Sequence, residues 1–216
     1  MNNGPEMLTW FSSRRSIREF TQAPVGRDVL KRLVQAAVSA PSATNRQPWR
    51  FAIVTGQARR AAIVGAIRTR VAAVEAVIAR GHHAEDYGRY GDFFFEPLQT
   101  AAAIVVPQYR THPDLIADLI ESGGGDRRDF DTAATMQAEL CSMSAGVMAL
   151  LLQAHAEGLG ACWMAGPMVA RRDIEPLLGI GDPWHMAGAI AVGHPVAVPP
   201  APPRKPLDRV AVWIDD

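Results

Sequence analysis

The stretch SAPSATNRQPW, Ser39 to Trp49, separates a run with helical spacing from a run that reads as a strand. A plain turn is satisfied by Gly, Asn or Asp at one or two positions. Here a proline opens the segment, small and amide-bearing side chains fill it, and Pro48 with Trp49 closes it. That is more hydrogen-bonding capacity than a reversal of the chain requires.

Upstream of this loop, Val29, Leu30, Leu33, Val34, Ala37 and Val38 recur at helical spacing, and Pro41 stops the helix. Downstream, FAIVT (51–55) predicts a buried strand, and Ile63, Ile67, Val71, Val74 and Ile78 predict a helix that Gly81 ends. AAAIVV (101–106) predicts a second strand. Residues 107–130 are richer in polar side chains and contain Gly123, Gly124 and Gly125, the profile of a mobile, lid-like excursion with one short helix. From Asp131 as N-cap to Gly158 as C′ glycine runs a 26-residue segment that is apolar on most of its circumference. Such a helix would be roughly 39 Å long and must be buried, more than one small domain can cover, so a partner subunit is expected, with Ala145, Gly146 and Ala149 permitting close approach. ACWM (161–164), MAGAIAV (186–192) and RVAVW (209–213) predict further strands. Before the last of them VPPAPPRKP, with five prolines, favours an extended arm that would span roughly 25 Å. The class is α+β, a central sheet flanked by helices.

The 216 residues, 48% of them hydrophobic and without a low-complexity tract, provide a core sufficient for a globule of one large or two small domains. Zero net charge argues against a nucleic-acid binder. The charge is nevertheless uneven: residues 1–50 carry eight Arg or Lys against three acids, which suits an anionic ligand such as a phosphate. Cys141 and Cys162 have no CxxC spacing and read as two buried small hydrophobes. No apolar run reaches the ~18 residues of a membrane span and no secretory leader is evident, so a reducing cytoplasm is the expected compartment.

GLGACW at Gly158 and GIGDPW at Gly179 supply two glycines of GxGxxG and lack the third. No GxxxxGK[ST], HExxH or GxSxG is present, and neither cysteine has a histidine beside it in sequence. An enzyme without nucleophile, metal or paired carboxylates needs a cofactor to carry its reaction.

Four segments in order, RRSIR (14–18), APSATNRQPWRF (40–51), EGLGACWMAG (157–166) and RKPLD (204–208), resemble the FMN-binding segments of the nitroreductase family, over essentially the whole chain. The resemblance implies a single nitroreductase-like domain over residues 1–216 with a mixed central sheet, forming an interlocked homodimer with a C-terminal arm. It implies FMN as cofactor, NADH or NADPH as co-substrate and a small-molecule electron acceptor such as a nitroaromatic or quinone. Arg14 and Arg204 match positions that clamp the FMN phosphate, with Arg15 and Ser16 alongside, and Arg18 matches the basic residue near flavin N1 and O2. Pro41, Ser42, Ala43 and Asn45, presented from the other subunit, would lie along the flavin, with Gln47 supporting the loop. Ala165 and Gly166 match the backbone segment at N5. The family often has an acidic residue where this chain has Ala165, which bears on substrate preference and not on the backbone contact. The same motifs would also serve a flavin-sequestering protein without turnover, or family members that oxidise, dehalogenate or break down flavin.

Overall fold

Along Ala103–Arg110 (β2) alternate side chains enter two different cores: Ile104 and Val106 one, Ala103 and Val105 the other. Period-two alternation with both sets apolar is what a strand covered on both faces demands. The computed structural model, which describes residues 3–82, 84–87 and 91–215, provides that cover. The chain runs α1 (Gly4–Ser13), α2 (Arg27–Val38), β1 (Trp49–Val54), α3 (Gln57–Ile78), the short α4 (Ala84–Tyr87), α5 (Glu96–Thr100), β2, and α6 (Leu115–Ser122). It continues with α7 (Ala138–Ala156), β3 (Gly160–Met164), α8 (Arg171–Leu177), β4 (Trp184–Met186) and β5 (Ala189–Gly193). Strand order is β1-β2-β5-β3, with β4 beside β2. Every strand pair among the described residues is antiparallel, which corrects the mixed sheet expected above; the one parallel bridge, between Ser16 and Ala161, is isolated and pairs no two strands. Pro107 sits where β2 changes partner from β5 to β4, so its missing N–H leaves no bond unmade there, and its carbonyl accepts from Ala187 N–H at 2.8 Å.

One face packs Ile63, Ile67 and Val71 of α3 with Leu98 of α5 and Ile174 of α8. The other packs Leu30 and Leu33 of α2 against Met143, Val147 and Leu150 of α7. The two helices approach closely at Gly146, where a Cβ would stand 3.1 Å from the Ala37 carbonyl oxygen. Ala145 and Ala149, expected with Gly146 at a crossing with a partner subunit, are half-buried within the single chain. No helix among the described residues is long and apolar enough to cross a membrane.

Several expectations are corrected. α7 starts at Ala138 instead of after Asp131: Gln137 takes a left-handed φ of 52°, and residues 132–137 form turns, with Thr132 hydroxyl donating to the Asp114 carboxylate. The 107–130 excursion begins only after Arg110, since β2 runs through its first residues. MAGAIAV is two strands, divided at Gly188. RVAVW forms no strand; Val210, Val212 and Trp213 are exposed, with no strand of the described chain beside them. Cys162 is buried as expected, whereas Cys141 is exposed.

The end of α7 is fastened to α2 by Arg32, whose Nε and Nη2 donate to the two Glu157 carboxylate oxygens at 2.6 and 2.8 Å. Gln153 Nε2 adds a third bond at 2.9 Å. These donors, Arg32 first, hold the Glu157 carboxyl down to about 2 from an ordinary 4.5. A depressed folded-state pKa contributes stability that is complete above the unfolded value and is lost as pH falls through the folded one. Melting temperatures measured from pH 6 downward should therefore show an acid limb between about 4.5 and 2 that Arg32→Ala flattens; an identical limb in the variant would refute the assignment.

Candidate functional site

RRSIR leaves the end of α1 and lies along the free edge of β3. Ser16 bridges Ala161, Ile17 N–H donates to Ala161 O at 3.1 Å, and Thr21 N–H donates to His194 O at 2.9 Å. The approach depends on Gly160, because a Cβ there would come within 2.7 Å of the Ile17 side chain. Arg14 and Arg18 are four residues apart, up to about 13 Å in extended backbone, and the two guanidinium-bearing side chains line different clefts.

The larger cleft, about 540 Å³, is lined by Arg18, Phe93, Phe94, Trp163, Ala165 and Gly166, with Cys162 and Met164 beneath. Burial pushes the Cys162 thiol up, although Arg18, Arg14 and a hydrogen bond with Ser16 pull the other way. It stays a thiol and is no nucleophile. Phe93 and Phe94 stand edge to face at 4.6 Å. Phe94 covers Gly166: a Cβ at that position would lie 2.3 Å from Phe94 Cδ1. Trp163, held by Nε1–H donating to Ala187 O at 2.8 Å, also lines an apolar recess of about 280 Å³ with Tyr109, Met168 and Met186.

The smaller cleft, about 190 Å³, contains Ser13, Arg14, Arg15, His155, Leu159 and Ala161. Arg15 Nη1 donates to the Ser12 and Arg14 carbonyls at 2.6 and 2.9 Å, so this residue anchors the segment as well as charging the cleft. Its Nε is buried and has no hydrogen-bond partner among the described residues.

The loop of residues 41–47 lies elsewhere, against the start of α7, and lines neither of these two clefts. Ser42 Oγ accepts from Gln47 N–H at 3.0 Å, Ser142 Oγ accepts from Ala43 N–H at 3.2 Å, and Gln47 Nε2 donates to Asn45 Oδ1 at 3.3 Å. Thr44, Asn45 and Gln47 have φ of 49°, 54° and 49°. Left-handed non-glycine residues are costly and persist only where the surroundings over-determine them, a pattern that gathers at functional loops. Pro41, Ala43 and Asn45 are exposed, Ser42 half-buried. Arg204 is exposed in the extended C-terminal segment and joins neither arginine cluster through a hydrogen bond or ion pair among the described residues. Phe93, Phe94, Trp163 and His155 were not expected from the sequence. The FFF run at 93–95 was an available signal for the first two, whereas His155 is hidden inside an apolar helix.

An antiparallel sheet between two helical layers, with an arginine-rich strand laid beside β3, defines a family: the model of the nitroreductase family matches residues 11–194, and the chain belongs to that family. Among its relatives, an NADH dehydrogenase of Thermus thermophilus is 28% identical over 218 residues, covering 93% of this chain and 92% of the relative. The fold is shared with a BluB-like flavoprotein from Clostridium difficile at a TM-score of 0.86 and 19% identity, covering 97% of this chain and 99% of that one. It is shared too with iodotyrosine deiodinase bound to FMN and 3-iodo-L-tyrosine, at 0.72 and 21%, with coverage of 97% and 99%.

Proposed function

We propose that the protein is an FMN-dependent oxidoreductase that takes reducing equivalents from NADH or NADPH and delivers them to an electron-poor aromatic such as a nitroaromatic or quinone. The observation that carries the reading is the pair of clefts strung along one edge of β3, one basic and narrow, the other wide and aromatic. FMN is itself an anion joined by a flexible chain to a flat ring. The residues fit it: Arg14 supplies a guanidinium, Arg15 has an unpartnered buried Nε, and the wide cleft is lined by aromatic rings and by the backbone of Ala165 and Gly166. When bound, FMN supplies two-electron chemistry between a reduced nicotinamide and an acceptor.

The chain's own part is binding and electrostatics. Arg14 and Arg15, which line the narrow cleft, would hold the phosphate by charge-assisted hydrogen bonds. Arg18 places positive charge at the ring cleft, where it favours the reduced cofactor. Ala165 and Gly166 offer backbone without a side chain that would fill the cleft, and Phe93, Phe94 and Trp163 line it with aromatic surface. Because loop 41–47 lines neither cleft of its own chain, it is assigned to the site of a second copy in a homodimer.

No second nucleotide pocket is part of this reading, so nicotinamide and acceptor occupy the aromatic cleft in turn. Initial rates with NADPH varied at several fixed quinone concentrations should give parallel double-reciprocal lines. Lines that intersect would require a ternary complex and sink the shared-cleft reading. Anaerobic addition of NADPH to the yellow holoprotein should bleach the flavin absorbance; an unchanged spectrum with both NADPH and NADH would favour sequestration of flavin without turnover.

A further inference from the structure

His155 lies in the last turn of α7 and shares the narrow cleft with Ser13, Arg14 and Arg15. Ser13 Oγ donates to Trp10 O at 2.7 Å and stands 2.7 Å from His155 Nε2. The hydroxyl has one proton, and with that proton on Trp10 O the imidazole donates through Nε2–H. Nδ1 is then the lone-pair nitrogen. Trp10 holds the ring from one side, with centroids 5.3 Å apart.

The charges facing this imidazole are the guanidiniums of Arg14 and Arg15. On its own helix, Glu157 is engaged by Arg32 of α2, and Leu151, Leu159, Ala161 and Pro195 bring no charge. Burial first, then Arg14 and Arg15, holds His155 below the usual imidazole range, so it is neutral beside two cations. A doubly charged anion placed among the same groups offsets the two guanidinium charges and, beside the imidazole, favours the imidazolium.

We propose that His155 is a positioning residue that takes up one proton at Nδ1 when a phosphate dianion enters the narrow cleft, which makes retention of FMN pH dependent and distinguishes it from flavins without phosphate. The inference rests on the FMN reading above. The proton comes from solvent and no covalent bond changes. Affinity is strengthened below the phosphate-bound pKa of His155 and the gain is lost as pH rises through it, by up to about tenfold for each unit that the pKa is raised. The phosphate's own second ionisation, near pH ~6, acts in the opposite direction, since binding of the dianion releases a proton.

The measurement is isothermal titration of the FMN-free full-length chain near neutral pH in buffers of different ionisation enthalpy, which counts protons exchanged. Wild type should take up a fraction of a proton per FMN and none per riboflavin. His155→Gln, whose amide can still donate toward Ser13, should show no uptake or a small release. Absence of net uptake in wild type, equal uptake with riboflavin, or uptake that survives His155→Gln overturns the proposal. Arg14→Ala separates the two levels. If it weakens FMN at least tenfold and riboflavin little while wild type shows no uptake, only the role of His155 falls. If it binds both flavins as wild type does, the phosphate is not in this cleft and both readings fall.

Discussion

Gly166→Val is expected to lower kcat/KM for NADPH-driven quinone reduction by about 10²-fold or more, the scale of loss when reacting groups are misplaced by an ångström. The added Cβ would stand 2.3 Å from Phe94 Cδ1, 2.5 Å from Cγ and 2.8 Å from Cβ. The last of these is fixed to the backbone, so no rotation of Phe94 relieves it, and either the Ala165–Pro167 turn or the phenyl ring must move into the cleft. Pairing the change with Phe94→Ala should restore part of the activity, a coupling that two independent losses would not show. Turnover within threefold of wild type in the single variant would mean that this turn does not border the reacting face.

Gly188→Ala should cost stability instead. The residue has φ of 81°, and an added Cβ would meet the Met164 carbonyl oxygen at 2.4 Å and Trp163 Nε1 at 3.0 Å. The left-handed backbone alone is worth about 1–2 kcal/mol against a residue with a Cβ, and parting the end of β3 from β5 brings the total to about 3 kcal/mol or more. For a chain of this size that lowers the melting temperature by about 6–12 °C. Gly179→Ala is the control: its φ is 63° and nothing lies within 4 Å of the added atom, so it should shift the midpoint by only about 2–4 °C per kcal/mol of backbone strain. Equal losses in the two variants would show that the contact with Met164 contributes nothing.

What could be read from the sequence was what is local. α2 and α3 follow from their own apolar spacing, and Trp49–Val54 and Gly160–Met164 from short apolar runs between breakers. The start of α7 could not be read, because Ala133 and Ala134 suit a helix and the tie from Thr132 to Asp114, which leads into the left-handed turn at Gln137, is a tertiary contact. RVAVW misled for the converse reason: strand propensity forms no strand without a neighbour to pair with. Of the two clefts, Arg14, Arg15, Arg18, Ala165 and Gly166 could be picked out as residues, whereas their assembly along β3 depends on the Ser16–Ala161 bridge, which no local pattern announces, and Arg204 and the 41–47 loop line neither cleft. His155 has a helical neighbourhood like any other, and only the fold sets it beside Ser13.

That bridge also fixes when the site can come into being. Ser16 and Thr21 find their partners at Ala161 and His194, more than a hundred residues later. During synthesis at about 5–20 residues per second, the arginine-rich segment emerges well before β3 and waits until β3 and the end of β5 have left the ribosome. Closing so long a loop is among the slow steps of folding. Helices α2 and α3 can form meanwhile, but both clefts are late assemblies, completed only once β3 and the residues after β5 are there to pair with.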